Sequence, residues 1–405
     1  METRIVYRKE SAVISASFSD NRLTSITVNG SDKELIPGDI FLGRIASVVP
    51  GIGGLFVNIG LEKNCFLKTD CADDPFVRQS HADGKLHEGD ELLVQIIREE
   101  GRNKPATLSA KLSLSGVFVV VSSGPRGIRI SSRITDEVEK KRLAKLADEC
   151  LGDSAYEIML RTNSSHADPE HVRNELRMLM ETMQKMTTEG LMRTVGTKLY
   201  EGLPAYLCEF RDSKNPSPDR ILVEDEDIYR KMKSFAAGFR PEYSASIRLS
   251  DRSVYPLEAE FDMRARISEL TSRKVWLRSG AYLIFDTAEA MTVIDVNTGK
   301  ASDSKTTQKG FLACNLEAGE EIARQLRLRN ISGIIIVDFI DMASPEDRDT
   351  LMGRLRELME NDDIMTRVID MTKLNLVEIT RTKKKRPLAE DLRKFGIYQS
   401  TREKD

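Results

Sequence analysis

The sequence predicts a multidomain α+β protein in which an all-β segment precedes a C-terminal α/β region. A chain of 405 residues is too long for one ordinary hydrophobic core, so about two to four structural units are expected. Residues 38 to about 115 contain short β-rich runs separated by Gly, Pro, Asn and Asp. From about residue 271 onward, strand patterns alternate with helix patterns.

Composition and the N-terminus exclude several classes of protein. The chain is 40% hydrophobic and 31% charged, and no apolar run is long enough to cross a bilayer. The first residues, "METRIVYRKE", contain no apolar signal-peptide region, so no membrane association and a cytoplasmic location are expected. The net charge of −3 excludes a polycation, and the local basic cluster "TRTKKKRP" (380–387) is expected to be a solvated surface.

Cysteine and histidine usage argues against zinc. The five cysteines are scattered without a Cys-x-x-Cys pair, and the four histidines form no metal-binding motif. We therefore expect neither a zinc site nor a disulfide framework.

The all-β segment has the strand pattern of a small OB-fold barrel. Five runs carry it: "GDIFLGRIASVV", "GGLFVNIG", "KNCFLKTD", "GDELLVQIIRE" and "PATLSAKLSL". Phe56 and Phe66 either stack on nucleic-acid bases, with Lys63 and Lys104 near the phosphates, or pack in the barrel core. The residues alone leave both alternatives open.

The next segment, to about residue 200, continues with strands and then helices. A strand is predicted at Ile158 to Arg161, followed by a polar loop. A helix is predicted to begin at Asp168-Pro169, because Asp caps a helix well and Pro fits its first turn.

Two strands of the α/β region end in acidic or amide side chains. In "MTVIDVNTGKAS" (291–302) strict alternation places Asp295 and Asn297 on one face. In "GIIIVDFIDM" (333–342) the run Ile334 to Val337 is typical of a strand buried on both faces, and it leads into Asp338. Asp341 is expected on the opposite face, as a structural residue, if that strand continues.

These side chains allow two interpretations. If the strands are neighbours, two carboxylates and an amide oxygen form a set of ligands that suits Mg²⁺. Alternatively, Asp295 and Asp338 merely cap the ends of strands. Helices are predicted to open at Asn315, between the two strands, and at Ser344, after the second.

The order of these motifs resembles the ribonuclease E/G family over nearly the whole chain. The resemblance rests on "SGAYLIFDTAEAMTVIDVNTG", on "NLEAGEEIARQLRLRNISGIIIVDFIDM" and on "LVEITRTKKKRP". It implies an RNase H-like domain into which an S1 (OB-fold) domain and a 5′-sensor domain are inserted, followed by a DNase I-like α/β catalytic domain. The implied boundaries are 1–37 with 207–270 (RNase H-like, discontinuous), 38–117 (S1), 118–206 (sensor) and 271–405 (DNase I-like).

The resemblance also implies roles for individual residues. Asp295 and Asp338 match the family's magnesium ligands, and Asn297 matches the accompanying catalytic asparagine. Arg161-Thr162 matches the pair that holds a 5′-monophosphate. Phe56 and Phe66 match the aromatic side chains that stack on RNA, and Lys104 is expected beside them.

The implied function is an endoribonuclease that cleaves single-stranded RNA, favours 5′-monophosphorylated ends and acts in RNA processing and decay. A homo-oligomer is compatible with the family, but its zinc-linked dimer is not expected, because the family's Cys-Pro-x-Cys pair is missing. Two alternatives remain: a non-catalytic RNA-binding protein, and a Mg²⁺-dependent phosphoesterase acting on DNA or small phosphates.

Overall fold

The computed structural model describes residues 1–30, 35–72, 75–79, 81–100, 104–152, 154–212, 219–251, 255–299 and 308–398. It is a mixed α/β structure with several sheets. The chain divides into two compact units, each assembled from separate segments. The first unit comprises Met1–Ser31, Pro218–Arg230 and Ala245–Asp405, and the second comprises Asp32–Ser217 and Lys231–Ser244.

Strands account for most of the regular structure before residue 130 and recur after residue 270. In chain order they are β1 (Glu2–Lys9), β2 (Ala12–Ser19), β3 (Arg22–Gly30), β4 (Ile40–Val49), β5 (Gly54–Asn58), β6 (Cys65–Lys68), β7 (Glu91–Arg98), β8 (Thr107–Ser109), β9 (Ser113–Ser115), β10 (Val119–Ser123), β11 (Gly127–Ile130), β12 (Tyr156–Leu160), β13 (Lys198–Tyr200), β14 (Arg220–Val223), β15 (Ile247–Leu249), β16 (Lys274–Trp276), β17 (Tyr282–Thr287), β18 (Met291–Asn297), β19 (Gly333–Asp338), β20 (Thr366–Met371) and β21 (Leu376–Arg381).

Helices connect and cover these sheets. They are α1 (Glu137–Leu151), α2 (Pro169–Glu189), α3 (Ala205–Asp212), α4 (Glu226–Phe239), α5 (Leu257–Glu260), α6 (Met263–Thr271), α7 (Gln308–Leu328), α8 (Pro345–Glu360) and α9 (Leu388–Lys394). In the described part of the chain no helix has the length and apolar character needed to cross a membrane.

The second unit contains the predicted barrel. Strands β4, β5, β6, β8 and β7 pair in that order, and β7 pairs back onto β4, which closes the sheet. Closure removes the free edges that an open sheet of this size would expose. Side chains such as Ile45, Val57 and Leu67 fill the interior. The prediction of a five-stranded barrel is confirmed, although the fifth predicted run, 105–114, is divided between β8 of the barrel and β9 of another sheet.

A four-stranded sheet of order β11-β12-β10-β9 follows the barrel in the same unit, and α1 and α2 pack on it. The predicted start of α2 is confirmed. The side chain of Asp168 accepts a hydrogen bond from the backbone N–H of Glu170, and Pro169 occupies the first turn.

The first unit contains a five-stranded sheet of order β15-β14-β1-β2-β3. Strands β1, β2 and β3, which are consecutive in the chain, form an antiparallel meander. Strand β1 also pairs in parallel with β14, in the register Thr3↔Arg220 to Val6↔Val223. The sheet therefore joins residues that lie more than two hundred positions apart in the chain.

The other sheet of this unit has the order β16-β17-β18-β19-β21-β20. Strands β18 and β19 are parallel, and helix α7 lies between them in the chain. Helices α7 and α8 cover one face, where Ile294, Ile335 and Leu355 belong to one hydrophobic core. The opposite face remains exposed.

Two predictions for this region are wrong. Ile334 to Val337 is not buried on both faces, because Ile335 and Val337 are fully buried whereas Ile334 is 48% exposed. Helix α7 begins by Gln308 rather than at Asn315. Asn315 is instead a buried interior residue, whose amide donates to the carbonyl of Ile340 (2.8 Å) and accepts from its N–H (3.1 Å). The predicted start of α8 is confirmed, since Ser344 caps it.

Candidate active site

The two predicted catalytic carboxylates lie side by side on the exposed face of the α/β sheet. Strands β18 and β19 pair in a register that sets Asp295 directly opposite Asp338. Their strand neighbours Ile294 and Val337 are buried in the core on the other face. Alternation along each strand therefore turns both carboxylates toward solvent.

Asn297 orients the first of these carboxylates. Its amide nitrogen donates a hydrogen bond of 2.7 Å to Oδ2 of Asp295. Asn297 is the last residue of β18, and alternation places it on the same face as Asp295. The Asp-x-Asn spacing thus becomes a direct contact.

Asp341 joins this edge of the sheet, contrary to expectation. Strand β19 ends at Asp338, so the strand alternation that would have turned Asp341 away does not continue. Its Oδ1 accepts a hydrogen bond of 3.1 Å from the amide of Asn375. No local pattern after Asp338 indicates where the strand ends.

The electrostatics of the site favour a cation. The pKa of Asp338 is raised above its ordinary value, first by partial burial of the carboxyl group and then by the negative charges of Asp295 and Asp341. Within the described residues no group of three or more His, Cys, Asp or Glu side chains is arranged to hold a metal ion. Asp295 and Asp338 are two neighbouring carboxylates, and Mg²⁺ commonly binds to one or two carboxylates while it retains water and substrate oxygens.

A close backbone approach supports the turn after Asn297. Gly299 has a positive φ of +66°, and a Cβ there would lie 2.3 Å from the carbonyl oxygen of Gly280. Only glycine fits this position without displacing backbone. The turn is thereby fixed against the loop that leads into β17.

An aromatic cluster occupies the same exposed face. Tyr282 is the register partner of Asn297, and Trp276 is the register partner of Tyr282. The Trp276 and Tyr282 rings are 5.3 Å apart, and the ammonium group of Lys274 lies 3.8 Å from each ring centroid. These residues belong to no functional motif of the sequence, although the alternation in "KVW" and "YLIF" separates core from exposed positions.

In the second unit, Phe56 and Phe66 face outward from the barrel as a pair. They are register partners on β5 and β6, with ring centroids 5.7 Å apart and planes inclined by 60°. Both are half-buried, whereas their strand neighbours Leu55 and Leu67 fill the barrel interior. Gly54 makes room for the Phe66 ring, since a Cβ there would lie 2.3 Å from it.

Lysines near this pair differ in their contacts. Lys104 is exposed and lies two residues before Ala106, whose carbonyl accepts the N–H of Phe66. Lys63 forms an ion pair of 2.7 Å with Glu100. Lys104 is therefore the better candidate for a phosphate contact.

Arg161 and Thr162 lie at the end of β12, in the same unit. Arg161 Nη1 donates to the carbonyl of Gly116 (2.5 Å), and Nη2 donates to Oδ1 of Asp212 (2.6 Å). The hydroxyl of Thr162 is 3.0 Å from that of Ser131. Glu157, on the same strand, pairs with Lys111 and Arg129.

Asp212 marks an anion position beside Arg161. Its carboxylate also accepts hydrogen bonds from Arg211, at 2.7 and 3.0 Å. Burial opposes ionisation of Asp212, but Arg211 and Arg161 outweigh it and lower the pKa. Two arginines thus converge on one carboxylate.

The structure brings Asp295, Asn297 and Asp338 together in the first unit. The remaining predicted site residues lie in the second unit: Phe56, Phe66, Lys104, Arg161 and Thr162. The polar stretch "KASDSK" (300–305), which follows the Asp-x-Asn motif, lies outside the described residues.

Comparisons with known proteins agree with this arrangement of motifs. The model of the ribonuclease E/G family matches residues 113–384. Ribonuclease G of Escherichia coli (strain K12) is 30% identical over 370 residues, which cover 89% of this chain and 75% of that protein. Ribonuclease E of Nostoc sp. (strain PCC 7120) is 32% identical over 375 residues, which cover 91% of this chain and 54% of that protein. The matched region contains strands β18 and β19, and the chain therefore belongs to the ribonuclease E/G family.

Proposed function

We propose that this protein is a magnesium-dependent endoribonuclease that cleaves single-stranded RNA, favours 5′-monophosphorylated substrates, and acts in cytoplasmic RNA processing and decay. The observation that carries the proposal is the pairing of Asp295 with Asp338 on the exposed face of a sheet. A protein that only bound RNA would have no need of two adjacent carboxylates at this position. Family membership and relatives named ribonuclease G and ribonuclease E support the nuclease activity.

The proposed domain architecture follows the same family. The closed barrel supports an S1 domain at residues 38–117, and the β1–β14 pairing supports a discontinuous RNase H-like domain at 1–37 and 207–270. We propose the sensor domain at 118–206 and the DNase I-like catalytic domain at 271–405.

The catalytic residues have separate tasks in this proposal. Asp295 and Asp338 would hold the magnesium ion, and Asn297 keeps the Asp295 carboxylate in place through its 2.7 Å hydrogen bond. A bound Mg²⁺ lowers the pKa of a water ligand and stabilises charge on the scissile phosphate. Asp341, fixed by Asn375, adds negative charge that strengthens cation binding.

The barrel would hold the RNA strand. Phe56 and Phe66 present adjacent rings on which bases can stack, and Lys104 can neutralise a nearby phosphate. Stacking of this kind tolerates any base, because every base has a π-face. It fits an enzyme that acts on many transcripts.

Arg161 and Thr162 would bind the 5′-monophosphate. Arg161 already holds an anion, the carboxylate of Asp212, with a guanidinium nitrogen 2.6 Å from its oxygen. A terminal phosphate is a stronger acceptor than a carboxylate and carries more charge. It could displace Asp212 or share the two arginines with it.

Cleavage of a 5′-labelled single-stranded RNA, with and without Mg²⁺ and against the matching DNA, tests the activity. We expect internal cuts in RNA only when Mg²⁺ is present. Binding without cleavage under all conditions would favour the non-catalytic RNA-binding protein. Equal cleavage of DNA would favour a general phosphoesterase.

A further inference from the structure

The exposed face of the catalytic sheet carries an aromatic cluster that neither the metal site nor the sensor uses. Trp276 is 62% exposed, whereas the residue before it on the same strand, Val275, is fully buried in the core. An exposed indole is costly to leave in water and more often marks a contact surface than a structural position. Tyr282 lies against it at 5.3 Å.

The register of the sheet aligns this cluster with the catalytic residues. One row across the strands reads Trp276, Tyr282 and Asn297, and the next reads Lys274, Ile284, Asp295 and Asp338. Adjacent strands are about 4.8 Å apart, so Trp276 lies about 10 Å from Asn297 along its row. A nucleotide that follows the one at the carboxylates would reach the rings.

Charge and shape define the ligand. Lys274 places a positive charge 3.8 Å from both ring centroids, which makes the cluster a cation beside two π-surfaces. A nucleotide presents a flat aromatic base next to a phosphate, and proteins that bind single strands combine the same two elements.

We propose that Trp276, Tyr282 and Lys274 form a base-stacking platform that holds a nucleotide of single-stranded RNA near the scissile phosphate. This inference rests on the proposed function and adds a substrate contact within the catalytic unit itself. The platform fixes how far the strand lies from Asp295 and Asp338, and so which phosphodiester is cut.

Fluorescence gives a direct readout, because Trp276 is the only tryptophan of the chain. The full-length protein is titrated in EDTA with an unstructured 5′-hydroxyl RNA, so that neither turnover nor a 5′-phosphate contributes. We expect quenching of the tryptophan emission that saturates together with the fluorescence anisotropy of labelled RNA. Anisotropy that saturates with unchanged tryptophan emission would overturn the proposal.

Substitution and substrate change are then combined. Trp276→Ala should weaken RNA binding by roughly five- to a hundredfold, the effect of losing one stacked base, and Trp276→Phe should restore most of the loss. Tyr255→Ala, which truncates another exposed aromatic residue of the same unit, is the matched control and should bind RNA normally. A series of RNAs is also tested, each with one abasic nucleotide at a different position near the cut. The wild type and Trp276→Ala should have equal affinity for the RNA that lacks the base stacked on Trp276.

The outcomes separate this inference from the proposed function. If Trp276→Ala binds every RNA like the wild type while Mg²⁺-dependent cleavage persists, the platform is wrong and the endoribonuclease stands. If RNA quenches Trp276 but no RNA is cleaved with Mg²⁺, the platform stands and the endoribonuclease fails. If Trp276→Ala lowers the affinity equally for the intact RNA and for every abasic RNA, Trp276 has a merely structural role and the platform is wrong.

Discussion

Glu175 is a buried acid whose protonation should change the stability of the second unit near neutral pH. It is 5% exposed on α2, and its two carboxyl oxygens accept from the backbone N–H of Phe118 at 3.2 and 3.0 Å. Burial raises the pKa of Glu175 to about 7, against the opposing hydrogen bonds from backbone N–H groups and the charge of Arg161. The perturbation is Glu175→Gln, which resembles the protonated acid in size and donors.

The magnitude follows from the difference between the folded pKa of about 7 and the ordinary value of 4.5. Between these two pKa values the folded protein retains a proton on Glu175 that the unfolded chain releases. The contribution of this proton to the free energy of unfolding is therefore complete below the ordinary pKa. It is lost as the pH rises through the folded pKa. Each pH unit of difference is about 1.36 kcal/mol, which gives a loss on the order of 3 kcal/mol for the wild type and none for Glu175→Gln.

Hydrogen exchange of the α2 amides, measured for both proteins at each pH, isolates this effect because intrinsic exchange rates cancel in the comparison. Between about pH 5 and pH 8 the opening free energy of the wild type should fall relative to Glu175→Gln by roughly 2–3 kcal/mol. Glu181→Gln, at an exposed position of the same helix, should follow the wild type. A constant difference between wild type and Glu175→Gln over this range would refute the reasoning.

Three further predictions concern the active site, the sensor and the core. Asp295→Asn and Asp338→Asn should each remove Mg²⁺-dependent RNA cleavage with little effect on RNA affinity, because each change removes a charged ligand at nearly constant volume. A variant that kept most of the wild-type rate at saturating Mg²⁺ would contradict the metal assignment. Arg161→Gln should slow cleavage of 5′-monophosphorylated RNA by about ten- to a hundredfold and leave 5′-hydroxyl RNA unchanged, whereas an equal effect on both ends would exclude the sensor role. Arg381→Met should destabilise the first unit by about 3–5 kcal/mol in urea unfolding, because it leaves the buried carboxylate of Asp362 without its 2.7 Å ion pair. The added change Asp362→Leu should recover much of that loss, and no recovery would contradict the explanation by an unpaired charge.

Local patterns predicted the elements that depend on local chemistry. The Asp168-Pro169 and Ser344 helix starts and the five barrel strands were predicted because caps, turns and alternation act over a few residues. The shared face of Asp295 and Asn297 also followed from strand periodicity. The pairing of Asp295 with Asp338 was only conditional, since periodicity does not say which strands are neighbours.

The errors occur where tertiary packing decides. Four apolar residues at 334–337 are typical of a strand covered on both faces, but this sheet is covered on one face only. The basic cluster at 380–387 was expected in solvent, yet its Arg381 is buried against Asp362. In neither case does a pattern of a few residues indicate what packs against the side chain.

The parallel pairing of β1 with β14 has a consequence for synthesis on the ribosome. The meander of β1, β2 and β3 can form early, but β1 has no partner on its other side until residue 220 has been made. At about 5–20 residues per second this takes roughly 10–40 s, during which the whole segment Asp32–Ser217 is produced. Through that interval the nascent chain presents an open strand edge, the kind of surface that recruits strands from other chains. The order of translation therefore leaves β1 half-paired until β14 has been made, and places the greatest risk of misassembly in the nascent chain, before strands β18 and β19 have been made.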